Sequence, residues 1–281
     1  MRMAKLTAVL LVSVFLIFGC AKKIPQKIEW IQNLDEGKKI AQKEHKGMLV
    51  HFFREDCKWC KRMDDSTYVA ENVRKLSWTY VFVKIDGKQD SSLAKQEGIG
   101  GYPTIIIYRA PDKELDRIIG YLPPDSFETY IHNYEKGIGT LEYYERQVQA
   151  DSANVELLFK LGEKYKWRGR PDEAFALFYK VVALDPPNIK KFSDQALYEA
   201  ADLFYRNKDY KGALSEFQNL SNKYPESEYS LDAQEMAAYC YAKLGENVTA
   251  KALYNKFLKD HPGHDDEWVK EQIDKLEGKG K

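Results

Sequence analysis

This sequence lacks a charge of one sign. Its 43 basic and 43 acidic side chains cancel, so no global field draws it to nucleic acid or to an anionic membrane surface, and nucleic-acid binding is set aside. It is short of cysteine: four in 281 residues, of which only Cys57 and Cys60 are close together. That rules out a disulfide-dense scaffold. It has no apolar run long enough to span a bilayer. The longest, "LTAVLLVSVFLIF", holds thirteen residues, against the ~20 a crossing helix needs. Nor is it depleted in apolar residues. At 44% hydrophobic and 13% aromatic it has the composition of a folded chain rather than a disordered one, and its length accommodates one large or two medium domains.

That apolar run sits at the start, after "MRMAK" and before "GC". A basic start, a short apolar core and a small residue describe a secretory signal. Residues 1–19 are therefore expected to be removed, which leaves two more acids than bases. The ending "LIFGC" resembles the lipobox of bacterial lipoproteins. Ile17, Gly19 and Cys20 match it, while Phe18 is bulkier than usual. The resemblance implies that Cys20 carries the lipid, so that the membrane is met through this anchor only. A signal cleaved near Ala21 without lipid is the alternative. By analogy with the sorting of enteric lipoproteins, Ala21 after the lipid cysteine implies the outer membrane. Residues 20–27 are read as a tether.

Residues 28–138 mix strands and helices. "NLDEGKKIAQKEHK" is helical and polar, and "MLVHFF" and "YVFVKID" are apolar strands. "SSLAKQEG" is a short helix opened by serine caps and closed by Gly98. "TIIIYRA" and "ELDRIIGY" are two strands joined by a turn at Pro111–Asp112. "PPDSFETYIHNY" starts with prolines and runs as a last helix.

Residues 139–281 carry no strand signal and repeat internally. Ala174, Ala213 and Ala250 are each followed four residues later by an aromatic (Phe178, Phe217, Tyr254) and twelve later by Pro186, Pro225 or Pro262. Nine residues before each alanine stands Tyr165, Phe204 or Tyr241, and three before that Gly162, Ala201 or Ala238. Small residues let antiparallel helices approach and the aromatics fill the space between pairs. The pattern resembles the tetratricopeptide repeat, which implies an all-α solenoid that binds a protein partner. Three repeats follow a half repeat, "TLEYYERQVQADSAN", and "HPGHDDEWVKEQIDKLEGKGK" supplies a polar capping helix. An unrelated helical bundle is the alternative.

The chemistry lies in "HFFREDCKWCKRM", where the strand ends, a short turn follows and Cys57 opens a helix. Zinc would need two further ligands. Cys240 lies inside a repeat helix, and His261 and His264 have no cysteine near them in sequence, so no metal is expected. A structural disulfide closing so small a loop would stabilise little. A redox pair has positive support. Free N–H groups and the dipole at a helix start favour a Cys57 thiolate, and Cys60, one turn on, can reach back to resolve a mixed disulfide. Cys240 is read as an inert core thiol.

Strand, CxxC, helix, strand, helix, then "GYPT" before a hairpin and a final helix resemble the thioredoxin superfamily over Glu29 to Lys136. The resemblance implies an α/β thioredoxin-like domain in which Pro103 is cis and packs beside the cysteines, and in which the backbone of Tyr102 pairs with substrate. The chain departs from the family at two places. His51 stands six residues before Cys57, where thioredoxins bury an acid, and Lys58 and Trp59 separate the cysteines. His51 is either a satisfied strand histidine or a proton acceptor for Cys60. Lys58 tunes the Cys57 thiolate, and Trp59 is an exposed rim for substrate unless it packs beneath Tyr102.

These readings converge on a thiol–disulfide oxidoreductase in the bacterial envelope, lipid-anchored, facing the periplasm and working as a reductase. It needs no cofactor beyond the Cys57–Cys60 pair. Its expected partners are protein disulfide or thiol substrates, an unidentified protein bound by the repeats and a membrane thiol reductase as electron donor. The competing reading is a scaffold or assembly lipoprotein in which the repeats do the work and the first domain only docks.

Overall fold

The computed structural model describes residues 23–110 and 112–279. The expected signal, the Cys20 anchor and Pro111 of the hairpin turn lie outside the described residues. Among the described residues no helix is long and apolar enough to cross a membrane.

The first half is a five-stranded mixed sheet flanked by helices. β1 (Trp30–Ile31) leads into α1 (Leu34–Glu44), which is capped by Asn33 accepting from the Glu36 N–H at 2.9 Å. β2 (Gly47–Phe53) follows, then α2 (Lys58–Arg62), which runs on through a π-helical turn at Met63–Thr67. After α3 (Glu71–Lys75) come β3 (Tyr80–Asp86) and α4 (Ser91–Gln96). The hairpin β4 (Thr104–Ala110) and β5 (Lys113–Ile119) and then α5 (Pro124–Glu135) complete the unit. The strand order is β1-β3-β2-β4-β5, parallel from β1 to β2 and antiparallel thereafter.

β2 is central, which explains why its run is apolar but for His51: both of its faces are covered. Leu49 packs with Phe82, Ile105, Met63, Phe127 and Ile131 on one side. Met48, Val50 and Phe52 pack with Val83, Ile106 and Leu34 of α1 on the other. Two details differ from the sequence reading. The strand β1 was not foreseen, because two residues show no periodicity; it forms by pairing Trp30 with Phe82 and Ile31 with Val83. The cap of α4 is Asp90, whose carboxylate accepts from the Leu93 N–H, rather than a serine.

The second half is helical throughout: α6 (Leu141–Ala150), α7 (Val155–Lys166), α8 (Pro171–Leu184), α9 (Ser193–Arg206), α10 (Tyr210–Lys223), α11 (Tyr229–Lys243), α12 (Asn247–Asp260) and α13 (Asp266–Leu276). Pairs α7/α8, α9/α10 and α11/α12 carry the three copies of the sequence pattern, with α6 before them and α13 after. Three of the five repeat positions form the core, while Tyr165, Phe204 and Tyr241 are half-buried and the prolines exposed. Ala174, Phe178, Ala201, Ala213, Phe217, Ala238, Ala250 and Tyr254 are all buried. Gly162 shows why the first of these positions is small: a Cβ there would lie 2.6 Å from the Phe178 ring. The protein is thus a mixed-sheet α/β unit followed by an array of paired helices.

Candidate active site

Cys57 is the N-cap of α2, and its sulfur accepts the Cys60 N–H at 3.0 Å. The two cysteines are joined in a disulfide, with Cα atoms 5.3 Å apart. Their exposures differ: Cys60 is buried, while Cys57 is partly open to solvent. The outer sulfur is the one a second protein can reach.

The sheet brings a distant segment to the same edge. Phe52, near the end of β2, pairs with Thr104 at the start of β4. Pro103 therefore arrives where β2 gives way to the turn that carries the cysteines. The Tyr102–Pro103 peptide is cis. The Tyr102 ring lies against Gly87, where any side chain would collide with it, and the Arg54 guanidinium sits 5.9 Å above that ring. Arg54 in turn forms a bidentate pair with Asp56 at 2.9 and 2.6 Å.

Trp59 is 56% exposed. It stacks on Tyr121, ring centroids 5.8 Å apart, with Arg62 over both rings. Its packing partner is thus Tyr121 from the β5–α5 connection, and not Tyr102. Lys58 is exposed.

His51 is fully buried among Trp30, Phe53 and Tyr68, and neither ring nitrogen has a hydrogen-bond partner. Burial, and then the positive charge of Lys84 opposite it in β3, lower its pKa to about 3. The ring is neutral at physiological pH, and so weak a base holds little of a proton released by a thiol. The charge near this strand segment belongs instead to Lys84, which donates to both oxygens of Asp64 at 2.7 and 2.8 Å and lies 4.8 Å over the Phe53 ring. Cys240 is buried in the repeats, where desolvation pushes its thiol up to about 12. It is unreactive at neutral pH.

The helical array touches this domain beside the cis peptide, which sequence reasoning missed. Arg206 of α9 donates to the Gly100 carbonyl at 2.6 Å and stacks 4.8 Å over the Trp167 ring. A Cβ on Gly101 would lie 3.3 Å from that ring. Gly98 adopts φ +64°, and a Cβ there would stand 2.5 Å from the Arg168 carbonyl oxygen, so the two backbones meet with no room for a side chain. Behind this contact Asp116 of β5 is wholly buried. It accepts from Lys164 at 2.8 Å and from the Leu141 N–H at 2.6 Å, and pairs with Arg168 at 3.0 Å. Burial lowers the pKa of Lys164 against the pull of Asp116. The signal was there to find. "ELDRII" places an aspartate in an apolar strand, which only a buried partner can explain.

Residues 34–135 match the family model described as a thioredoxin-like domain, and residues 190–270 match the one described as an outer membrane lipoprotein. Thiol:disulfide interchange protein DsbD of Ralstonia nicotianae is 24% identical over 122 residues, 42% of this chain and 20% of that one. Protein disulfide isomerase-like 2-2 of Oryza sativa subsp. japonica is 26% identical over 126 residues, 45% of this chain and 33% of that one. The chain therefore spans a third or less of the length of these curated relatives. The solved structure of MamA is 24% identical, with a TM-score of 0.43, covering 57% of this chain and 86% of its own. Residues 34–135 are thus a thioredoxin-like domain with a Cys57–Cys60 pair, and a tetratricopeptide-like helical region follows it.

Proposed function

We propose that this protein is a thiol–disulfide oxidoreductase of the bacterial cell envelope, lipid-anchored through Cys20 and facing the periplasm, probing client proteins with Cys57 and held to a partner protein by its repeats. One observation carries the reading: a partly open Cys57 caps α2 and a buried Cys60 lies one turn on, at the sheet edge where Pro103 leads into β4. A binding module has no need of that combination. The interchange protein and the isomerase-like protein among the relatives support the same chemistry.

In the reducing direction the Cys57 thiolate attacks one sulfur of a client disulfide. A mixed disulfide forms and the other client sulfur leaves as a thiolate. Cys60, deprotonated, then attacks the Cys57 sulfur, closing the Cys57–Cys60 disulfide and releasing the second client thiolate. Two electrons have passed to the client, whose thiolates take up two protons. A membrane thiol reductase restores the pair with two electrons. The Cys60 N–H that points at the Cys57 sulfur stabilises the attacking thiolate, as charge-assisted hydrogen bonds do. Tyr102 and Pro103 present backbone to the client, Trp59 and Tyr121 an apolar rim, and Lys58 a positive charge beside the thiolate.

A Cys60→Ser variant tests this. It is expected to accumulate mixed disulfides at Cys57 in its native envelope, identifiable by mass spectrometry. Absence of any covalent adduct refutes the proposal.

The match of residues 190–270 to an outer membrane lipoprotein model favours a second reading, in which the repeats serve envelope assembly and the first domain docks. Full complementation of a deletion phenotype by the Cys57→Ser, Cys60→Ser double variant supports that reading, and failure to complement supports redox chemistry.

A further inference from the structure

The last repeat carries a polar cluster that redox chemistry does not use. Asp232 and Glu235 stand three residues apart on α11, hence on one face of the helix. His264 reaches them from the turn between α12 and α13, a turn shaped by Gly263 at φ +91° and Asp265 at φ +44°. One ligand atom from each of Asp232, Glu235 and His264 lies within 4.8 Å of the other two. His264 Nε2 is 3.3 Å from Asp232 Oδ1.

Glu235 is the residue that asks for an explanation. It is only 5% exposed, and its Oε1 has no hydrogen-bond partner. Among the described residues no lysine or arginine forms a salt bridge with Glu235 or with Asp232; the ion pair at Asp232 is with His264. A carboxylate taken out of water without a cation or a donor is costly unless something pairs with it.

We propose that Asp232, Glu235 and His264 form a divalent-cation site that joins α11 to the turn before the capping helix α13. The donor set is one imidazole nitrogen and two carboxylate oxygens, which suits zinc and its transition-metal neighbours better than magnesium or calcium, whose sites are built from oxygen alone. Ligands about 2.1 Å from a tetrahedral ion stand roughly 3.4 Å from one another. The His264–Asp232 separation already matches this, and the Glu235 ligand atom lies within 4.8 Å of both. Asp232 and His264 remain partly exposed, 44% and 35% by side chain, so an ion can enter and water can complete its coordination. The site would pin the cap to the last repeat, where a solenoid otherwise frays. It is independent of the cysteines.

The test uses the full, tag-free chain carrying Cys20→Ser, with its Cys57–Cys60 disulfide closed and Cys240 buried, so that thiols cannot bind metal. Isothermal titration with zinc chloride is expected to show one ion per chain with micromolar affinity, and zinc is expected to raise the melting temperature. Magnesium chloride is expected to do neither. His264→Ala and Asp232→Asn should each weaken zinc binding at least about tenfold, since loss of even a ligand's supporting partner costs about that much. Glu235→Gln should lose binding too, since an amide is a far weaker ligand than a carboxylate, while its metal-free melting temperature stays close to wild type. Absence of saturable one-to-one zinc binding, or unchanged affinity in His264→Ala and Asp232→Asn, overturns the proposal.

Discussion

Arg206 Nη1 lies 2.6 Å from the carbonyl oxygen of Gly100, joining residues 106 positions apart in the chain. The bond is set from both sides. Asp202, held by the buried Lys166, fixes the Arg206 guanidinium at 2.5 Å, and Trp167 lies beneath it. The segment that precedes the cis Tyr102–Pro103 peptide is therefore braced by the helical array.

Removing that brace should affect clients more than the cysteines themselves. Arg206→Ala and Trp167→Ala are expected to lower kcat/KM for a protein disulfide by about tenfold, because small displacements of a positioning loop are expensive. The reduction potential of the pair should stay close to wild type. Insulin turnover and equilibration against glutathione measure the two quantities. A shifted potential with unchanged turnover would contradict this role.

Asp116 is the keystone of the junction. Asp116→Ala leaves Lys164 half-buried without its carboxylate, leaves Arg168 with Glu114 alone and frees the Leu141 N–H. Breaking a buried pair in this way costs about 3–5 kcal/mol. Urea unfolding followed by circular dichroism is expected to show an earlier transition, split into two as the halves uncouple.

His51 makes stability depend on pH. Its folded pKa, about 3, lies below its ordinary value of 6.5, so the neutral ring contributes full stability above 6.5. That contribution is lost as the pH falls from 6.5 towards 3, because the unfolded chain binds the proton first. At pH 4 the loss is on the order of 3 kcal/mol. Chemical denaturation at pH 7 and pH 4 should show it, and His51→Leu should flatten the slope.

Gly162→Ala sets two effects against each other. Alanine favours the α7 helix by about 1 kcal/mol, whereas its methyl would press into the Phe178 ring, and overpacking costs about 1–3 kcal/mol. A net loss is expected, read as a lower melting temperature. Gly162→Ala combined with Phe178→Leu should recover part of it.

Trp59→Ala should change little in the fold, since the ring is more than half exposed. Its melting temperature is expected within a degree or two of wild type, while KM for unfolded clients rises. An unchanged KM would mean that the Trp59–Tyr121 stack is not a client surface.

Local and periodic features are written in the order of residues alone. The apolar runs of β2 to β5, the Ala–x3–aromatic beat of the repeats and the CxxC at a helix start are encoded by near neighbours, and periodicity reports them directly. It also pointed to Pro103 through an ordered set of motifs. Features that depend on long-range packing emerge once the chain is folded. The two-residue strand β1 exists because β3 pairs with it. His51 is neutral because aromatic rings and Lys84 surround it. Gly98, Asp116, Trp167 and Arg206 become a junction, and Asp232, Glu235 and His264 a cluster, only once distant segments meet. Burial and charge pairing depend on which surfaces come together, and no spacing along the chain records that.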